Sequence, residues 1–219
     1  MTEAMTKSIP TKRKYESSRR QAQARETRRQ IAEAARGLFF ERGYSGTTID
    51  AIAQAAGVAP ETVYSIFGSK RKVLSHLMDI SIGGDDQPIR LLDRPEPQAV
   101  LHDTDQRYQV MMFSRGITEI LARAAKLFEV VRSAAMTEEE IADLMQNLLT
   151  ERLENMTTFV KHLASNGGLY EGMEIPLAAE MVWTITSPEV FLLLTRDRNY
   201  SKGRYSTWLE TTLTRLLLP

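Results

Sequence analysis

The sequence has no cysteine among its 219 residues, which excludes disulfides, thiolate metal sites and cysteine nucleophiles. Histidine is nearly as scarce: His76, His102 and His162 stand in three different segments. No His-Glu metal spacing, glycine-rich phosphate loop or nucleophile elbow accompanies them. Nothing therefore speaks for an enzyme, a metal or a cofactor. No apolar run is read as long enough to span a bilayer, and the basic N-terminus (MTEAMTKSIPTKRK) has no apolar segment behind it to form a secretory signal. A cytoplasmic protein without a membrane partner is expected. No stretch alternates with period two, so no sheet is expected either. An excess of one charge is also missing, with 28 Lys and Arg against 28 Asp and Glu. That balance is only global. Residues 1–80 hold 14 cationic and 8 acidic side chains, a net +6, and the remainder is −6. A basic N-terminal region beside an acidic remainder suits a polyanion at one end.

What is present centres on residues 43–74 (GYSGTTIDAIAQAAGVAPETVYSIFGSKRKVL). Thr47-Thr48-Ile49-Asp50 has the pattern of a capping box, so a helix starts there. Ile49, Ile52, Ala53 and Ala56 share one face, and Gly57 supplies a left-handed stop. Pro60 suits the first turn of a second helix, whose Val63 and Phe67 face inward. Pro60, Glu61, Thr62, Tyr64 and Ser65 are left outward. This is a helix-turn-helix with its second helix presented to a partner. A helix over about 25–42, with Ile31, Ala35, Leu38 and Phe39 as its stripe, packs behind it. Ser69 caps a fourth helix that carries Val73, Leu74, Leu77 and Met78. Lys70, Arg71 and Lys72 crowd its first turn against the helix dipole, an arrangement that a bound phosphate would relieve.

Gly43-Tyr44, Thr47-Thr48-Ile49, Ile52-Ala53, Ala56-Gly57-Val58, Thr62-Val63-Tyr64, Phe67 and Ser69-Lys70 resemble, in register, the DNA-binding signature of the tetracycline-repressor (TetR) family of transcriptional regulators. Glu61 departs from it where many members carry glycine, and Arg71 where many carry an acid. The resemblance implies an all-α fold: an N-terminal three-helix DNA-binding domain and a larger helical domain for effector binding and dimerisation. It also implies that Lys70 contacts the backbone of double-stranded DNA. Base edges would be met by Pro60, Glu61, Thr62 and Ser65, and the backbone by Thr47, Thr48, Tyr64 and Lys70, with Tyr44 a further candidate. For Thr47 and Thr48, helix capping alone is an equal reading.

Around this stretch the chain divides into residues 1–24, 25–80 and 81–219. Residues 1–24 are polar, basic and without periodicity; they are either a solvated tail or an arm that adds DNA contacts. Residues 81–104, rich in Gly, Pro and Asp, mark the boundary, with one short helix inside. Helices are then expected over roughly 105–135 (either continuous or broken near Gly116), 138–164 (Thr137 and Glu140 forming a capping box), 176–196 (kinked at Pro188) and 203–217. Of Val190 to Leu194, and Trp208, Leu209, Leu213, Leu216 and Leu217, some must be core, but together they exceed what one chain can cover. The last two helices are therefore expected to form a homodimer, as they do in the resembled family, which sets a palindromic operator.

Members of that family bind a small molecule in the larger domain and thereby weaken DNA binding. Candidates to line such a cavity are Tyr108, Met111, Met112, Phe113, Phe128, Met145, Met156, Phe159 and Trp183, with packed core as the alternative for each. Arg115 and Arg123 are placed to meet an anionic ligand or to face solvent. The expected function is a ligand-responsive repressor released by an apolar or amphipathic effector. Activation, or an effector-independent chromosome-organising role, would use the same fold.

Overall fold

The computed structural model describes residues 12–219, and side chains from Arg19 onward except those of residues 20 and 21. Among the described residues every regular element is helical. Their order is α1 (Lys12–Arg42), α2 (Ile49–Ala56), α3 (Pro60–Phe67), α4 (Lys70–Gly83), α5 (Pro95–His102), α6 (Gln106–Ala135), α7 (Glu139–Ser165), α8 (Ile175–Ile185), α9 (Pro188–Leu192) and α10 (Lys202–Leu217). A 3-10 turn, Leu91–Asp93, precedes α5.

Local chemistry explains the boundaries. The Thr48 hydroxyl accepts from the Ala51 amide and starts α2, and Gly57 ends it at φ 67° with its amide bonded back to the helix. Ser69 caps α4 by accepting from Lys72. The expected kink at Pro188 is present: α8 stops at Ile185, and Ser187 caps α9 through the Val190 amide.

Five expectations are corrected or decided between alternatives. First, α1 begins at Lys12 rather than near Arg25. Its upstream half is built from Arg, Gln, Ala and Glu, which hold a helix by propensity without an apolar stripe; residues 1–11 lie outside the described residues. Second, α6 runs unbroken through Gly116, because burial of Ser114, Ile117, Thr118 and Leu121 around it outweighs the glycine's backbone entropy. Third, Thr137 forms no capping box: it donates to the Ala134 carbonyl, and α7 is preceded by Glu138 without a side-chain cap. Fourth, residues 175–197 are long and apolar enough, at a mean hydropathy of 1.4, to cross a bilayer by composition alone. In the sequence Pro188 and Arg196 interrupt that run and disguise its length. Here it bends at Ser187-Pro188, and Ala178, Ala179, Val182 and Phe191 are buried in the core. Fifth, the apolar residues of the last helices divide between core and surface: Phe191, Leu209, Leu213 and Leu217 are buried in their own chain's core, and Leu193 is 54% exposed.

Two cores hold the molecule. The first joins Ile31, Phe39, Ile52, Val63, Leu74 and Leu77 of the N-terminal helices to Leu127, Phe128, Ile141 and Met145 of α6 and α7. The second lies among α6, α7, α8 and α10. The helix-turn-helix is thus seated on the same long helices that build the larger domain.

Candidate nucleic-acid interface and effector cavity

Helix α3 presents what its sequence pattern implies. Val63 and Phe67 are buried, Glu61, Tyr64 and Ser65 are exposed, and Pro60 and Thr62 are half-buried. Tyr64, 54% exposed, is a large aromatic ring with no intramolecular use for that surface. Thr48 is exposed at the start of α2.

Two proposed backbone anchors are more occupied than expected. Thr47 is fully buried, and its hydroxyl donates to the Gly43 carbonyl at 2.8 Å. It closes the α1–α2 turn, so its side chain is withdrawn from the contact set. Lys70 donates from Nζ to the carbonyl oxygens of Tyr44 and Thr47, both at 2.9 Å, and lies 4.0 Å from the Tyr44 ring centroid. Burial lowers its pKa from the ordinary lysine value. Tyr44 itself is buried and stacked on Phe39. Lys70 therefore pins the start of α4 to the turn that leads into α2, and only one of its three donors is left over.

The opposite end of α4 enters a cavity of about 770 Å³, within the range that takes drug-sized ligands. Ile82 and Gly83 of α4, the segment from Gly84 to Leu101, and α6 and α7 enclose it. Phe113 and Phe159 stack across its wall at 3.9 Å between centroids. Arg123 donates from Nε to the Ser81 carbonyl at 2.9 Å, and Arg94 forms a bidentate pair with Asp85 at 2.9 and 3.0 Å.

Of the residues named for a ligand, Met112, Phe113, Met156 and Phe159 line this space, as do Arg115 and Arg123. The others do not. Phe128 and Met145 lie further along the same helices, in the core under the helix-turn-helix. Tyr108 is largely exposed near the start of α6, and Met111 is half-buried outside the cavity. Trp183 packs on the second core beneath the Arg152 guanidinium, 4.9 Å from its ring centroid. Arg152 also donates to the Trp183 carbonyl and to Thr186 Oγ1, and burial holds its pKa down to about 10. The missed lining is the connection itself: Ile89, Leu91, Leu92, Val100 and Leu101. The available signal was apolar residues in a segment otherwise read as a boundary, since something must cover them.

Residues 31–77 match the family model described as bacterial regulatory proteins, tetR family. The N-terminal helix-turn-helix is thus similar to the domain that this model describes. Its sequence is 41% identical over 61 residues to the HTH-type transcriptional regulator TtgR of Pseudomonas putida, covering 28% of this chain and 29% of that protein. The chain thus spans less than a third of the length of that relative. The fatty acid metabolism regulator protein of Bacillus subtilis (strain 168) is 24% identical over 172 residues, 78% of this chain and 85% of that one. The fold is shared with the transcriptional regulator FadR from Bacillus subtilis in complex with stearoyl-CoA, at a TM-score of 0.65 and 21% identity, covering 84% of this chain and 96% of that chain.

Proposed function

We propose that this protein is a ligand-responsive transcriptional repressor that binds a palindromic operator as a homodimer and is released by a small apolar or amphipathic effector. One observation carries the reading: a single helix, α4, starts at the DNA-facing turn through Lys70 and ends in the cavity wall at Ile82 and Gly83. A ligand that binds one position of α4 better than another shifts the equilibrium between DNA-competent and DNA-incompetent forms.

Base edges are met by Pro60, Glu61, Thr62 and Ser65 in the major groove. Phosphates are met by Thr48, Tyr64 and the free donor of Lys70. The homodimer forms through α8–α9 and α10, where Leu177 and Leu193 are exposed and Trp208 and Leu216 are half-buried. Two-fold symmetry then offers two α3 helices to one face of the duplex. Repression follows from occupancy of a promoter, and the protein works in the cytoplasm where its operator is. The ligand class to test first is a long acyl chain, because the cavity wall is mainly aliphatic and aromatic. A relative of the same fold is in complex with stearoyl-CoA.

The test combines three measurements on the purified chain: its mass in solution, its affinity for duplexes from its own promoter region, and its thermal shift with long-chain acyl-CoA and free fatty acids. A dimer that prefers one palindromic duplex and releases it with one of these ligands is expected. A monomer indifferent to those duplexes sinks the proposal.

A further inference from the structure

Among the described side chains, the upstream half of α1 contributes nothing to the core. The helix runs Lys12–Arg42, yet Arg19 and residues 22–30 are exposed or half-buried, and the first described buried residue is Ile31. Arg19, Arg25, Arg28 and Arg29 are exposed or nearly so, and among the described residues only Arg29 of these four has an ion-pair partner, Glu26. Residues 12–29 hold eight Lys and Arg against Glu16 and Glu26. That excess of six is as large as the whole net charge of residues 1–80. A helix polar all round and loaded with one sign repels itself and gains nothing from a core, so an anionic partner is what offsets the cost.

Its point of departure from the domain is fixed. The Arg28 guanidinium lies 5.0 Å from the ring centroid of Phe67, the last residue of α3, and that ring packs on His76 of α4. The basic half-helix therefore leaves the domain beside the end of the helix that enters the groove. Its sixteen residues upstream of Arg28 reach about 24 Å at 1.5 Å each, or about seven base-pair steps of 3.4 Å.

We propose that the upstream half of α1 is a second DNA-contact element, lying along phosphates that flank the groove entered by α3 and adding affinity without sequence preference. This rests on the DNA-binding reading given above. DNA is favoured over an anionic membrane because Tyr15 is the one large apolar side chain between residues 12 and 30, and helices that lie in membranes need an apolar face.

The experiment compares the full chain with the triple variant Arg19→Gln, Arg20→Gln, Arg25→Gln on operator and scrambled duplexes over a range of salt. Thermal melting checks that the variant folds, and Thr62→Ala serves as the readout for base recognition. The expected result is at least tenfold weaker binding to both duplexes at 0.1 M salt, a shallower dependence of log K on log salt by about two units or more per dimer, and an unchanged operator preference. Thr62→Ala should change the preference and leave the slope alone. An unchanged slope and affinity in the triple variant overturns the proposal, as does loss of binding to vesicles of anionic phospholipid with DNA binding intact. If the native chain discriminates no duplex, the helix-turn-helix reading fails first, and the two failures are told apart by the Thr62→Ala arm.

Discussion

Arg123 on α6 reaches across the cavity wall and donates from Nε to the carbonyl oxygen of Ser81, 2.9 Å away in the last turn of α4. A second contact, from the same guanidinium to the Ile82 carbonyl, measures 3.3 Å. These carbonyls are among the groups that a helix end leaves without intrahelical partners. The residue that satisfies them also lines the space where an effector would sit. Arg123→Ala should lower unfolding stability by about 1 kcal/mol. It should also reduce the factor by which a cavity ligand weakens operator binding, measured by fluorescence anisotropy with and without that ligand. An unaltered factor means that the cavity acts on α4 by another route.

Thr47 and Thr48 are adjacent hydroxyls with opposite assignments, and substitution separates them. Thr47→Val should destabilise the fold by about 1 kcal/mol through loss of its buried bond to Gly43, with little effect on DNA affinity beyond stability. Thr48→Val removes the α2 cap, costs about 1 kcal/mol of its own, and should weaken binding to operator and scrambled duplexes alike. Equal DNA affinity for the two folded variants would remove Thr48 from the contact set.

Lys70→Ala should do two things at once. Losing the ties to Tyr44 and Thr47 lowers the melting temperature, and losing the phosphate contact flattens the salt dependence by about 0.9 per protomer. Substitution at Glu61 or Thr62, by contrast, should change which bases are preferred at one operator position, by about 1–3 kcal/mol of discrimination. A selection from randomised duplexes reads the second effect, and titration across salt reads the first. A lysine variant with the native slope would assign Lys70 to architecture alone.

The helix-turn-helix was legible because its signals are local. Gly57, Pro60 and Ser69 punctuate it within a few residues, and the inward positions Ile52, Val63 and Phe67 follow helical period. The same holds for the break at Pro188. The cavity was less legible, because its lining depends on how α6 and α7 turn against their neighbours. Met112 and Phe128 sit on one helix and look alike in sequence, yet one faces the cavity and the other the core beneath α1–α4. Composition also hid α1, since a basic stretch without apolar periodicity reads as a tail even where the backbone is helical.

His76 ties pH to the seating of α1 on α4. Its ring packs on Phe67 and lies beside Arg28, with nitrogen separations of 3.4 and 3.5 Å. Burial first and the Arg28 charge second lower its pKa below 6.5, with Asp86 opposing weakly. The unfolded chain therefore binds a proton at higher pH than the native one, so this group's contribution is fully present above pH 6.5 and is lost as pH falls through the range below it. Asp79 works in the opposite sense. Burial and the Glu151 charge raise its pKa above the usual 3.8 while Arg28 lowers it, so its ionised form costs stability that acid relieves. The two must be separated by difference. Denaturant unfolding of the native chain and of His76→Gln, each from about pH 7.5 to about pH 5, should show the native chain losing more stability than the variant. Parallel curves would mean that the imidazole titrates as freely in the fold as outside it, and that its place between Arg28 and Phe67 carries no proton linkage.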